Sequence, residues 1–138
     1  MKPDFRCGCP ITSALDIIGD RWSMVIIKQM LLSGARTFKD FSEQQEAIAT
    51  NILAARLKRL EGYGILTKQK HPTNKKVNLY RLTERGIALA PAIMELGLWS
   101  HRYLGDIHPE LTEDMVEAER NPAETVRRVQ EGYRSGNS

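Results

Sequence analysis

The spacing of apolar positions divides the chain into short helical stretches around one strand-like pair. Residues 10–18 read as a helix with Pro10 at an early position. Residues 22–32 (WSMVIIKQMLL) are apolar nearly all round and contain no Gly or Pro. They predict a buried helix stopped by Ser33-Gly34, although Val25-Ile26-Ile27 alone would suit a strand. Thr37, followed by Phe38-Lys39-Asp40-Phe41, starts a third helix, with Asp40 placed to complete a capping box. Residues 48–63 predict a fourth helix. Its Leu53, Leu57 and Leu60 form the stripe of one buried face, and Gly62 and Gly64 end it, Gly64 as the left-handed cap.

After that the period changes. Residues 65–70 and 77–82 are strand-like and flank HPTNKK, where Pro72 and Asn74 suit a turn. The expectation is a hairpin with a basic tip. Thr83-Glu84-Arg85-Gly86 then opens a long helix to about Tyr103, capped by Thr83, which Pro91 is expected to kink or split. In the tail, Thr112 caps a helix starting at Glu113, and Asn121-Pro122 starts another. The fold class is α+β, mainly helical. Three helices followed by a two-stranded basic hairpin are the order of a winged helix-turn-helix.

Charge sharpens this picture. The net charge of +3 over 138 residues conceals an uneven distribution. Residues 1–46 carry six basic and six acidic side chains, and residues 47–85 carry nine basic and two acidic, a local balance of +7. Residues 86–105 balance to zero, and residues 106–138 carry four basic and eight acidic. A focused basic segment inside a folded domain is the footprint of a polyanion site, with a solvated basic face as the plain alternative. No uninterrupted apolar run is long enough to span a membrane. The opening MKPDFRCGCP lacks the apolar run of a secretory signal, and two cysteines one residue apart make no disulfide framework. A cytoplasmic location is expected.

Several motifs then fall in a familiar order. They are Cys9-Pro10, Ile18-Gly19-Asp20-Arg21-Trp22, Arg36-Thr37-Phe38, and Ile48 with Leu53-x-x-Arg56-Leu57-x-x-Leu60-Glu61. Gly64-Ile65-Leu66, Tyr80-x-Leu82-Thr83-x-x-Gly86 and Trp99 follow. Over residues 7–103 this order resembles the HxlR-type transcriptional regulators, relatives of the MarR regulators. The resemblance implies a non-enzymatic, homodimeric, sequence-specific regulator of transcription that binds double-stranded DNA. Many members have a Pro-Pro-Arg-Val-like wing, where this chain reads Thr73-Asn74-Lys75-Lys76-Val77, and the tail from Asp106 lies outside the shared pattern. In some members a cysteine placed like Cys9 senses oxidants or electrophiles.

The recognition helix can be read directly. With Leu53, Leu57 and Leu60 inward, Asn51, Ala55 and Lys58 occupy the opposite face, with Ala54 and Arg59 on its flanks. A helix entering the major groove uses its N-terminal residues on base edges. Thr50, Asn51, Ala54, Ala55 and Lys58 are the base-reading candidates: the Asn51 amide can pair with adenine, and small alanines allow close approach. Arg59, Lys68, Lys70, Lys75, Lys76 and Arg81 are the candidates for backbone contacts, which set affinity and register.

Cys9, directly before Pro10, would be the N-cap of the first helix. The helix dipole, and Arg6 three residues away, would favour its thiolate. Cys9 is thus the candidate for redox sensing, with Cys7 as a second thiol, and an intersubunit bridge suits these positions better than a small strained ring. An inert terminal cysteine is the alternative. No cofactor and no metal are expected, because Cys7-x-Cys9 is tighter than structural zinc spacing and His71, His101 and His108 are scattered. Trp22 and Trp99 read as packing anchors, and Asp16 and Asp20 as solvated acids.

The expected organisation is an N-terminal arm and first helix over 1–20, a DNA-binding core over 21–85, and a dimerisation helix with acidic tail over 86–138. Ile11, Leu15, Ile18, Ile93, Met94 and Trp99 are the dimer candidates, because apolar residues from Ile87 to Trp99 spread over more than one face of the C-terminal helix. A small molecule or electrophile is the expected effector. Two other classes stay open: a small cysteine-dependent oxidoreductase, which would leave the basic hairpin unexplained, and a winged-helix protein–protein module that does not bind DNA.

Overall fold

Along the described residues, four helices, a two-stranded hairpin and four further helices follow one another. They are seen in a computed structural model that describes residues 5–108 and 115–136. The chain divides into two units, Met1–Ile87 and Ala88–Ser138.

The first unit holds α1 (Pro10–Ile18), α2 (Ser23–Ser33), α3 (Phe38–Ser42), α4 (Thr50–Gly62), β1 (Leu66–Lys70), β2 (Asn78–Leu82) and α5 (Glu84–Ile87). Pro10 is at the start of α1, as its fixed φ and missing N–H allow. Helix α2 buries Ile26, Ile27 and Met30 completely and is closed by Gly34, whose φ of 69° is left-handed. The Thr37 hydroxyl accepts from the Asp40 N–H while the Asp40 carboxylate accepts from the Thr37 N–H, a complete capping box at α3.

Helix α4 starts at Thr50, two residues later than its apolar pattern suggests. Ile48 is buried just before the helix, and Ala47 has a φ of 53°, a left-handed turn carried by a non-glycine residue. Leu53, Leu57 and Leu60 face inward at 0–2% exposure, as their spacing predicts. With Ile26, Ile27, Met30, Phe41, Ile65, Leu66, Leu79 and Leu82 they form the core. Trimming one such leucine to alanine typically costs about 2–5 kcal/mol.

The hairpin is antiparallel, in the register Leu66↔Leu82, Lys68↔Tyr80 and Lys70↔Asn78. On its other edge the Tyr80 N–H donates to the Arg36 carbonyl at 2.7 Å, fixing β2 to the loop before α3. Thr83 caps α5, accepting from the Gly86 N–H at 3.3 Å and donating to the Gly64 carbonyl at 2.6 Å. Gly86 is there because a Cβ would stand 2.4 Å from the Ile65 carbonyl oxygen.

The helix foreseen to Tyr103 is two helices. Helix α5 ends at Ile87, and α6 (Ala90–Tyr103) starts afresh with Pro91 in its first turn. Proline lacks the N–H that a continuous helix would need there. Helix α6 belongs to the second unit, with α7 (Val116–Arg120) and α8 (Pro122–Gly136). Asn121-Pro122 starts α8 as expected, with the Asn121 carbonyl accepting from the Thr125 N–H at 3.1 Å. The start foreseen at Thr112-Glu113 lies outside the described residues. An ion pair between Arg102 and Glu119 at 3.0 Å joins α6 to α7. No helix of the described residues is long and apolar enough to cross a membrane.

Candidate nucleic-acid interface

Packing sets the outward face of α4. With three leucines turned into the core, Thr50, Asn51, Ala54, Ala55 and Lys58 are all exposed, two of them alanines that leave the backbone open to approach. The sequence-predicted base-reading set is therefore gathered on one accessible face.

Lys68, Lys70, Lys75, Lys76 and Arg81 are exposed along the hairpin and its tip, and among the described residues none of them is in an ion pair. Unpaired cations on a projecting hairpin are free to meet phosphates. Arg59 is placed differently from these five. Its guanidinium donates to the Asp16 carbonyl and lies 5.7 Å from the Tyr63 ring centroid, so its charge is engaged within the fold.

Sequence reasoning missed what orients α4. Asp20 is not a solvated acid. Its Oδ2 accepts from the Trp22 and Ser23 N–H groups at 3.0 Å each and from Arg56 Nε at 2.8 Å, and its Oδ1 accepts from the Ser23 hydroxyl. Burial works against the charged form, but the Ser23 hydroxyl, the Arg56 guanidinium and the two amides outweigh it. They hold the carboxyl at about 2. A carboxylate just before an apolar helix is a capping signal, whereas its pairing with Arg56 cannot be read along the chain. The loop between α3 and α4 is tied down similarly: Glu46 accepts from Lys28 and from the buried Gln29 amide, the latter at 2.9 Å.

Cys9 is exposed and stands at the N-cap of α1, with Cys7 also exposed and free. The Thr12 N–H and hydroxyl, followed by the Ile11 N–H, hold the Cys9 thiol below its ordinary range. Arg6 does not share in this, contrary to expectation. Its guanidinium is taken by Asp16, with Nε and Nη2 both 2.6 Å from Oδ1. The dimer candidates divide as well. Ile11, Leu15 and Trp99 are more than half exposed, and Ile18, Ile93 and Met94 are half-buried. Ile87 and Leu98, from the same apolar set, are buried. Trp22 is half-buried beneath the Arg21 guanidinium, but Trp99 is no anchor within one chain, as it lies exposed beside Tyr103. Among the described residues no three His, Cys, Asp or Glu side chains come together as a metal site.

Residues 17–108 match the HxlR-like helix-turn-helix family. The chain belongs to this family. It is 35% identical to the transcriptional regulator YodB of Bacillus subtilis over 96 residues, covering 69% of this chain and 85% of YodB. It is 29% identical to the uncharacterised helix-turn-helix regulator YdeP of the same organism over 123 residues, covering 89% and 90%. The reduced form of YodB superposes with a TM-score of 0.57 at 35% identity, covering 70% of this chain and 95% of that one. Its quinone-bound form gives 0.56 at 32% identity, covering 69% and 100%. The redox regulator HypR in its reduced form gives 0.61 at 26% identity, covering 72% and 100%. The mainly helical fold with one small antiparallel sheet is thus that of winged HxlR-type regulators. These relatives are transcriptional regulators and not enzymes, which sets aside the cysteine-dependent oxidoreductase.

Asp20, Arg56, Thr83 and Gly86 act inside the fold, while Asn51, Lys75 and Lys76 are exposed.

Proposed function

We propose that this HxlR-family protein is a homodimeric, sequence-specific DNA-binding regulator, in which α4 enters the major groove and the hairpin meets the DNA backbone. The observation that carries the reading is the exposed face of α4: Asn51 and Lys58 flank small alanines, opposite the buried leucines. Residues 21–85 form the DNA-binding core, the arm and first helix over 1–20 carry the thiols, and residues 86–138 serve dimerisation. Lys68, Lys70, Lys75, Lys76 and Arg81 supply sequence-independent affinity.

Pairing of two copies is supported by uncovered apolar stripes in each unit. Ile11 and Leu15 are 73% and 54% exposed on α1, and Leu96, Trp99 and Tyr103 are 54–67% exposed on α6. Two copies place two recognition helices on half-sites about one helical turn apart, which a useful specificity ratio requires. The Cys9 thiol, held below its ordinary range, makes this regulator responsive to oxidants or electrophiles; HypR is a redox regulator and YodB has been seen with quinone bound. The effector acts by changing the relative stability of two dimer arrangements.

Footprinting on the DNA upstream of the protein's own coding region, with sedimentation at micromolar concentration, tests this reading. Two protected half-sites and a dimer are expected. A monomer, or uniform protection of all DNA, would contradict it, and no protection at all would favour a protein–protein module.

A further inference from the structure

The hairpin tip contains no glycine and is ordered by two side chains. The His71 N–H donates to the Val77 carbonyl at 2.8 Å, and the Val77 N–H to the Asn74 carbonyl at 3.0 Å. Inside this ring the N–H groups of Thr73 and Asn74 both donate to His71 Nδ1, each at 3.2 Å, and the Thr73 hydroxyl stands 3.2 Å from the same nitrogen. Asn74 Oδ1 in turn accepts from the Lys76 N–H at 3.2 Å.

A backbone N–H can only donate. Nδ1 is therefore the unprotonated ring nitrogen, and the imidazole is the neutral Nε2–H tautomer. The pattern is the one an Asn or Asp side chain makes when it accepts from amides two and three residues on, built here with a ring nitrogen. His71 also lines an open groove with Lys39 of α3, Lys76 of the tip and Tyr80 of β2.

We propose that His71 is a positioning residue for nucleic-acid binding: by accepting the Thr73 and Asn74 amides through Nδ1, it fixes the hairpin tip and presents Lys75 and Lys76 to the DNA backbone. The proposal rests on the DNA-binding reading above. Its chemistry is the opposite of a phosphate-contacting histidine. The neutral ring is the active form, and protonating Nδ1 removes the acceptor that both amides share. A tip without that acceptor must be ordered at the moment of binding, which lowers affinity although Lys75 and Lys76 are both present.

The test compares three variants in binding to one operator duplex at pH 7.5, with folding checked by urea denaturation. His71→Asn keeps an acceptor for the same amides and is expected to bind within about twofold of the parent. His71→Ala and His71→Lys lack it and are expected to weaken binding about three- to tenfold, the worth of one or two ordinary hydrogen bonds. The lysine variant decides most, because it adds a positive charge. If His71→Lys binds as tightly as the parent, or tighter, the residue is a charge contact and the proposal fails. It fails equally if His71→Asn is as weak as His71→Ala.

Nitrogen-15 NMR of the free protein supplies a readout without DNA. An unprotonated Nδ1 is expected, with hydrogen-bond-shifted Thr73 and Asn74 amide resonances in the parent that are lost in His71→Ala. A protonated Nδ1 at neutral pH overturns the tip geometry. Should the parent bind no DNA, the DNA-binding reading and the role in binding fall together, and the NMR result still decides the tip by itself.

Discussion

Arg56 of α4 donates through Nε to Asp20 Oδ2 at 2.8 Å, bridging 36 positions of sequence. The same carboxylate holds the first amides of α2. One acid thereby starts the most deeply buried helix and fixes the roll of the helix that carries Asn51. This makes Asp20 a control on the orientation of α4 rather than a DNA contact.

Removing this acid is expected to destabilise the fold without touching the outward face. Asp20→Ala loses the amide acceptor and strands a half-buried guanidinium, and should cost about 2–3 kcal/mol in urea denaturation. Asp20→Asn keeps an acceptor and should cost less. The carboxyl sits at about 2, below its ordinary 3.8, so its contribution is complete above the ordinary value and is lost as pH falls towards 2. The stability gap between parent and Asp20→Asn should therefore close between about pH 4 and pH 2. A gap independent of pH would show that the charge does not matter.

Ala47 carries a φ of 53° in the loop between α3 and α4. An L residue is strained there and glycine is not, so Ala47→Gly should be neutral or stabilising by up to about 1 kcal/mol, even after the added freedom of the unfolded chain. A loss of stability above about 1 kcal/mol would mean that the methyl group is a packing element instead.

The two exposed thiols should differ in reactivity. Cys9, held below its ordinary pKa by the Thr12 and Ile11 groups at the start of α1, should alkylate faster than Cys7 at neutral pH. Diamide should change operator affinity in the parent and in Cys7→Ser, and not in Cys9→Ser. The same response in Cys9→Ser and the parent would point to a non-covalent effector. Mass spectrometry of the modified peptides and an operator-binding assay read the two outcomes.

Local chemistry made much of the fold legible. The Leu53, Leu57 and Leu60 stripe, the Thr37 box, the Thr83 cap and the basic hairpin all act through neighbours within a few residues. The features that escaped are long-range or hidden by type. Asp20 resembles a surface acid until Arg56 arrives from another helix, and the bond from Arg59 to the Asp16 carbonyl joins α4 to α1 across 43 positions of sequence. Ala47 escaped because alanine gives no warning of a left-handed turn. The helix break between Ile87 and Ala90 was visible in Pro91, which stands in the first turn of α6.

The central claim is that α4 reads bases while the hairpin tip holds phosphates, and operator binding across a salt series tests it most directly. Parent, Asn51→Ala and Lys76→Ala are compared on the footprinted operator and on random duplex. Asn51→Ala should lose about 1–3 kcal/mol on the operator and little on random DNA, with an unchanged salt slope. Lys76→Ala should weaken both duplexes alike and lower the slope by about one unit. Equal losses on both duplexes for Asn51→Ala would remove α4 from the major groove and contradict the account.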